Sequence, residues 1–205
     1  MTKTKTTTKQ KQKKKKTKEA FQSLAGQLLI AMPGIGDERF EKAVIYVHTH
    51  TKEDGAMGLV INQPNDTISF GEILDQLNIT SFTLNNPPRI LSGGPVQVSR
   101  GFILHSKEYD NKIKTGISGD VALAATQDII RDLAKGKGPR HSLIALGCAT
   151  WIQGQLEEEI MDNIWLTAQS NDAILFKEPY EKRWDTAIKS IGIDPRFLAT
   201  DSGKA

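Results

Sequence analysis

Between residues 28 and 64 the chain reads LLIAMPGIGDERFEKAVIYVHTHTKEDGAMGLVINQP, and no other stretch constrains the fold as strongly. Three apolar runs within it, residues 28–32, 43–47 and 57–61, are short, partly β-branched and separated by breaks rich in Pro, Gly and Asp. Runs of this length bounded by turn residues read as buried strands rather than helices. Asp54-Gly55 lies between the second and third runs, and Gly takes a positive φ without steric cost, so these two runs are expected to form a hairpin. Charge collects in the connections, which makes the segment core-building and not an active-site motif.

Downstream, Phe70, Ile73, Leu74 and Leu77 fall at i, i+3, i+4 and i+7, with Ser69 placed to cap the helix and Glu72 three residues later. The sequence around Asn85-Asn86-Pro87-Pro88 is a loop, followed by a short strand over 89–91. Strands are predicted at 101–105, 112–117, 142–146 and 173–176, and helices at 127–134, 155–164 and 180–191. Hairpin-linked strands with irregularly inserted helices indicate an α+β fold rather than a regular βαβ alternation.

The blocks AMPGIGDERF and EDGAMGLVINQP, then SGGPVQVSRGFILHS at 92–106, LGCATWIQGQLEEEIMDNIWL at 146–166 and RWDTAIKSIGIDPRFLATDSGKA at 183–205, resemble the YqgE/AlgH family of bacterial proteins. The resemblance spans about residues 21–205 in order. It implies a compact α+β fold in which a bent, largely antiparallel sheet curls towards a pseudo-barrel with helices packed around it. Trp151, Gln155, Leu156 and Trp165 match the family pattern GYAGW-x-x-GQLE…W, while Cys148 stands where the family has tyrosine and Thr150 where it has glycine.

Charge divides the chain in two. Nine of its 27 basic residues are lysines in residues 1–18, which hold no acid, leaving 18 basic against 24 acidic residues in 19–205. The expected organisation is therefore a disordered lysine-rich tail, 1–18, and one domain, 19–205, of acidic balance. Such a tail reads first as a solvated low-complexity extension; the alternative is non-specific contact with nucleic acid or an anionic surface, since it lacks the aromatic residues or arginines of a recognition element. The apolar run after it is broken by Gln22 and Gln27 and is followed by no small-residue cleavage site. No run approaches the roughly 20 apolar residues a membrane-spanning helix needs. With a single cysteine, no internal disulfide forms, and a cytoplasmic location is expected.

Gly93 and Gly94, in Ser-Gly-Gly-Pro, form either a tight turn or a loop whose backbone N–H groups converge on an anion, with Arg100 as a clamp. Cys148, at the end of a strand, is assigned to packing rather than catalysis, with His105 and His141 as the bases that chemistry would need. Glu157, Glu158, Glu159 and Asp162 are read as solvated acids that complement a helix dipole. His48 and His50 alternate without evident carboxylate partners, and no metal or cofactor is expected. Trp151 and Gln155 belong to a strand-to-helix corner that either packs or floors a ligand site. The candidate ligand-binding set is Gly93, Gly94, Arg100, His105, Trp151 and Gln155, with the 92–106 block close to the 147–155 corner.

The leading functional expectation is a non-enzymatic binding or regulatory domain, and the resemblance adds a link to transcriptional control. No helix-turn-helix is legible and the body is acidic, so regulation is expected to run through a protein or a small anionic ligand. The competing expectation is an enzyme acting on a small anionic metabolite near residues 92–105.

Overall fold

The computed structural model describes residues 21–79, 87–109, 121–198 and the backbone of 117–118. The lysine-rich tail and most of the 112–117 strand expectation lie outside these residues. Nine strands form one sheet: β1 (Gln27–Ala31), β2 (Val44–Thr51), β3 (Gly55–Val60), β4 (Ile90–Ser92), β5 (Val96–Ser106), β6 (Ile117–Ser118), β7 (Val121–Ala124), β8 (Ser142–Trp151) and β9 (Trp165–Gln169). Their order is β6-β7-β5-β8-β3-β2-β1-β9, all antiparallel, with β4 alone parallel, beside β8. Strand β6 comes back against β2, so the sheet curls as the resemblance implied.

The curl is built at β8. Its first part pairs with β5 and β4, and its last three residues pair with β3. At the bend, residues 97–100 of β5 bulge out opposite Gly147 alone, between the pairs Val96↔Cys148 and Gly101↔Leu146. Bulges of this kind bend the strand that carries them.

The apolar runs near the N-terminus are continuous because both faces of the sheet are covered there. Leu28, Ile30, Val44 and Tyr46 enter one core with α4 (Arg183–Ser190), and Leu29, Ala31, Ile45 and Val47 enter a second with Trp151, Leu156 and Trp165. A third core places α1 (Phe70–Gln76) and α2 (Gln127–Ala134) over Ile90, Ile103 and Ile144. The expected capping box is present on α1: Ser69 Oγ accepts from Glu72 N–H and Glu72 accepts from Ser69 N–H.

The hairpin turn binds directly to the β8 corner. Gly55 has φ +78°, and a Cβ there would stand 2.1 Å from the Trp151 carbonyl oxygen. Arg183 is 2 % exposed and fastens α4 to the sheet. Its Nε donates to Glu178 O at 3.0 Å, Nη1 donates to Ile61 O, and the guanidinium lies 4.4 Å from the Tyr180 ring centroid. Burial holds its pKa below the ordinary arginine value.

Residues 173–176, expected as a strand, instead lie in a π-helical turn (Ala173–Lys177) that buries Ile174 and Leu175. Asn171 Oδ1 accepts from Ile174 N–H and starts it. A four-residue apolar run has no period by which to tell the two apart. The helix expected over 180–191 is a 3-10 turn (Tyr180–Lys182) leading into α4. Strands β7 and β9 and the first half of β5 were not anticipated.

Candidate functional site

A cleft of about 300 Å³ opens where the 35–40 loop, the start of β5, the end of β8 and the helix α3 (Gln155–Met161) meet the first residue of β9. Its walls include Ile35, Phe40, Pro95, Val96, Trp151, Ile164 and Trp165. Its polar groups are Asp37, Arg39, Thr150, Gln155 and Glu159. Three rings form an edge-to-face chain: Phe40 to Trp165 at 5.7 Å and 79°, then Trp165 to Trp151 at 6.0 Å and 82°. This is the arrangement aromatic quadrupoles favour.

Glu159 organises the floor. Its Oε2 accepts from Trp151 Nε1 at 2.8 Å and from Trp165 Nε1 at 2.7 Å, and its Oε1 accepts from Gln155 Nε2 at 2.8 Å. Gln155 Oε1 in turn accepts from Ile152 N–H at 3.1 Å, which closes the strand-to-helix corner. The sequence allows this because Gln155 and Glu159 are one helical turn apart on α3. At the mouth, Arg39 makes a forked contact with Asp37, Nη2 to Oδ2 being 2.7 Å, and that hydrogen bonding lowers the Asp37 pKa and raises that of Arg39.

Of the expected site residues, Trp151 and Gln155 line this cleft, and Pro95 and Val96 bring the 92–106 block to it. Gly93 and Gly94 stand close by in a different role. Gly93 N–H donates to Leu146 O at 2.7 Å and so does not face a ligand. A Cβ on Gly94 would lie 2.3 Å from Cys148 C and 2.5 Å from Ala149 N, so glycine is required there for backbone contact between the loop and β8. Arg100 turns to Gln97 Oε1 at 3.1 Å and lies 5.1 Å from the Phe102 ring centroid. His105 is buried at the far end of β5, with Nδ1 2.9 Å from Ser106 O and its ring edge-on to Tyr109. Neither Arg100 nor His105 belongs to the cleft lining.

Cys148 is buried in the first core, and desolvation raises its thiol pKa above the ordinary value. His141 stacks on Phe176 at 5.6 Å. His50, read as lacking a carboxylate partner, has Glu157 Oε1 3.2 Å from its Nε2, while its Nδ1 accepts from Leu24 N–H at 3.0 Å. Among the described residues, no cluster of three or more His, Cys, Asp or Glu is placed to hold a metal ion, and no helix is long and apolar enough to cross a membrane. Sequence reasoning missed Glu159, taken for a solvated acid, and Asp37, Arg39 and Phe40, which lie in the connection between the first two apolar runs. The available signal for Glu159 was its position four residues after Gln155 and six before Trp165.

The AlgH-like family model matches residues 28–196. The chain belongs to the AlgH-like family. It is 46 % identical over 190 residues to a UPF0301 protein of Bradyrhizobium sp. strain BTAi1, covering 89 % of this chain and 88 % of that one. To a UPF0301 protein of Rhodospirillum rubrum it is 43 % identical over 182 residues, covering 89 % and 94 %. The solution structure of the AlgH protein from Pseudomonas aeruginosa superposes with a TM-score of 0.71 at 38 % identity, covering 89 % of this chain and 96 % of that one. A crystal structure from Corynebacterium diphtheriae, 18 % identical with a TM-score of 0.62 and covering 83 % and 88 %, shares the fold. The AlgH-like chain thus has the α+β architecture its sequence blocks implied.

Proposed function

We propose that this AlgH-like protein is a non-enzymatic binding domain that works in regulation by holding a small group in the cleft floored by Glu159. One observation carries the reading: four of the five polar side chains of the cleft are already bonded within it, Glu159 to three donors that include Gln155, and Asp37 to Arg39. A lining whose side chains lock each other in place is pre-organised for recognition. The enzyme reading is less well supported. Its nucleophile would be a buried Cys148 with a raised pKa, and its anion loop would need the Gly93 N–H that Leu146 uses.

The finer expectation of a link to transcriptional control, and a cytoplasmic location, belong to the same proposal. With 24 acidic against 18 basic residues in 19–205, the body is a poor DNA ligand, so regulation runs through whatever the cleft recognises. The test uses the three indole N–H resonances of Trp151, Trp165 and Trp184 in ¹⁵N-labelled protein, titrated with small amine, neutral and carboxylate fragments. At least one fragment is expected to shift Trp151 and Trp165 saturably while leaving Trp184, whose Nε1 donates to Ala31 O, in place. If every fragment leaves those two resonances still, the reading fails.

A further inference from the structure

We infer that the cleft takes a protonated primary amine on a short apolar stem, an inference that rests on the cleft being a binding site. Asp37 and Arg39 neutralise each other through Arg39 Nε at 3.0 and 3.2 Å from the two carboxylate oxygens and Nη2 at 2.7 Å. Glu159 is then the one carboxylate of the lining with no cationic partner among the described residues. Its three bonds all come from neutral donors, two indoles and an amide.

A carboxylate offers about four acceptor positions, so one is left over, and only a hydrogen-bond donor can use it. A donor that also carries positive charge gains most, because attraction across a partly dehydrated cleft is stronger than in water. The walls agree with this choice. The rings of Phe40, Trp151 and Trp165 lie in the lining, where π systems favour a nearby ammonium group, and Ile35, Pro95 and Val96 supply apolar surface for an alkyl stem. An anion would meet Glu159 with no free cation in the lining among the described residues, since Arg39 is held by Asp37. The size also fits: n-butylammonium has five heavy atoms, roughly 150 Å³ at water's share of liquid volume, against about 300 Å³ available.

The same chemistry is offered by a free alkylamine and by a lysine side chain of a partner protein. Calorimetry on the full chain at low salt and neutral pH compares n-butylammonium, n-butanol, butyrate and Nα-acetyl-lysine methylamide. The amine is expected to bind saturably and about tenfold tighter than the alcohol or the acid. Tighter binding of the lysine derivative than of n-butylammonium identifies a protein lysine as the source, and weaker binding identifies a free amine. Glu159→Gln should reduce the amine to the level of the alcohol, whereas Glu158→Gln, exposed on the same helix, should change nothing. Should Glu159→Gln fold poorly, Phe40→Leu provides the second variant, expected to weaken the amine about threefold or more. Butanol or butyrate binding as well as the amine overturns the inference while leaving the cleft a ligand site. Failure of all four probes, together with unmoved indole resonances, overturns both.

Discussion

Replacing Glu159 by leucine removes the shared acceptor of two buried indoles. Trp151 is 5 % exposed and Trp165 is 3 % exposed, and each gives its only side-chain donor to Glu159 Oε2. A buried donor left without a partner costs about 1–3 kcal/mol, so two cost about 2–6 kcal/mol. Water entering from the cleft can satisfy one of them, which brings the lower end of the cost down to about 1 kcal/mol. At about 2–4 °C per kcal/mol for a domain of this size, the melting temperature falls by roughly 10 °C. Urea unfolding followed by tryptophan fluorescence measures the loss, and both indole N–H resonances should move in the folded variant. Glu158→Leu on the same helix, exposed, should stay within about 0.5 kcal/mol of the parent. If Glu159→Leu also stays within that margin, Glu159 does not organise the site and the reasoning is wrong.

Other consequences are equally open to measurement. Gly94→Ala places a Cβ against the Cys148 backbone and should cost about 2–4 kcal/mol in urea unfolding, whereas Gly34→Ala, with no atom within 4 Å, should cost only its positive-φ strain of about 1 kcal/mol. Cys148 should resist thiol reagents at neutral pH until the protein unfolds. Because burial raises its folded pKa, the unfolded chain ionises first, so its contribution to stability is complete below pH 9.0 and declines as pH rises above it. Asp194, bonded to Arg196, should titrate at about 2 by NMR and return towards 3.8 in Arg196→Ala. Its stabilising contribution is present above pH 3.8 and is lost as pH falls through about 2.

Much of the fold was legible where a local rule settles the structure. Asp54-Gly55 marked the hairpin, Ser69 and Glu72 marked the start of α1, and the i, i+3 spacing of apolar residues located α2. The elements that escaped are those fixed by distant partners. Strand β9 is held by β1, more than a hundred residues earlier, and β7 is a run of Val, Ala and Leu buried on both faces with no alternation to read. In the first half of β5, residues 97–100 bulge out opposite Gly147, a register set by pairing with the distant strand β8 and announced by no local rule. The site divided in the same way. Trp151 and Gln155 were legible from the motif they share, but the side of the corner to which Glu159 turns depends on where β9 places Trp165. Asp37, Arg39 and Phe40 reach the cleft through the loop after β1, whose distant partner β9 carries Trp165.

Intermolecular NOEs between the methylene protons of saturating n-butylammonium and the protein locate the bound amine. Amine binding in the cleft predicts contacts to the indole protons of Trp151 and Trp165 and to the Phe40 ring. Contacts instead to Phe102 and Arg100 beside the glycine loop, or none to the two indoles, would contradict it.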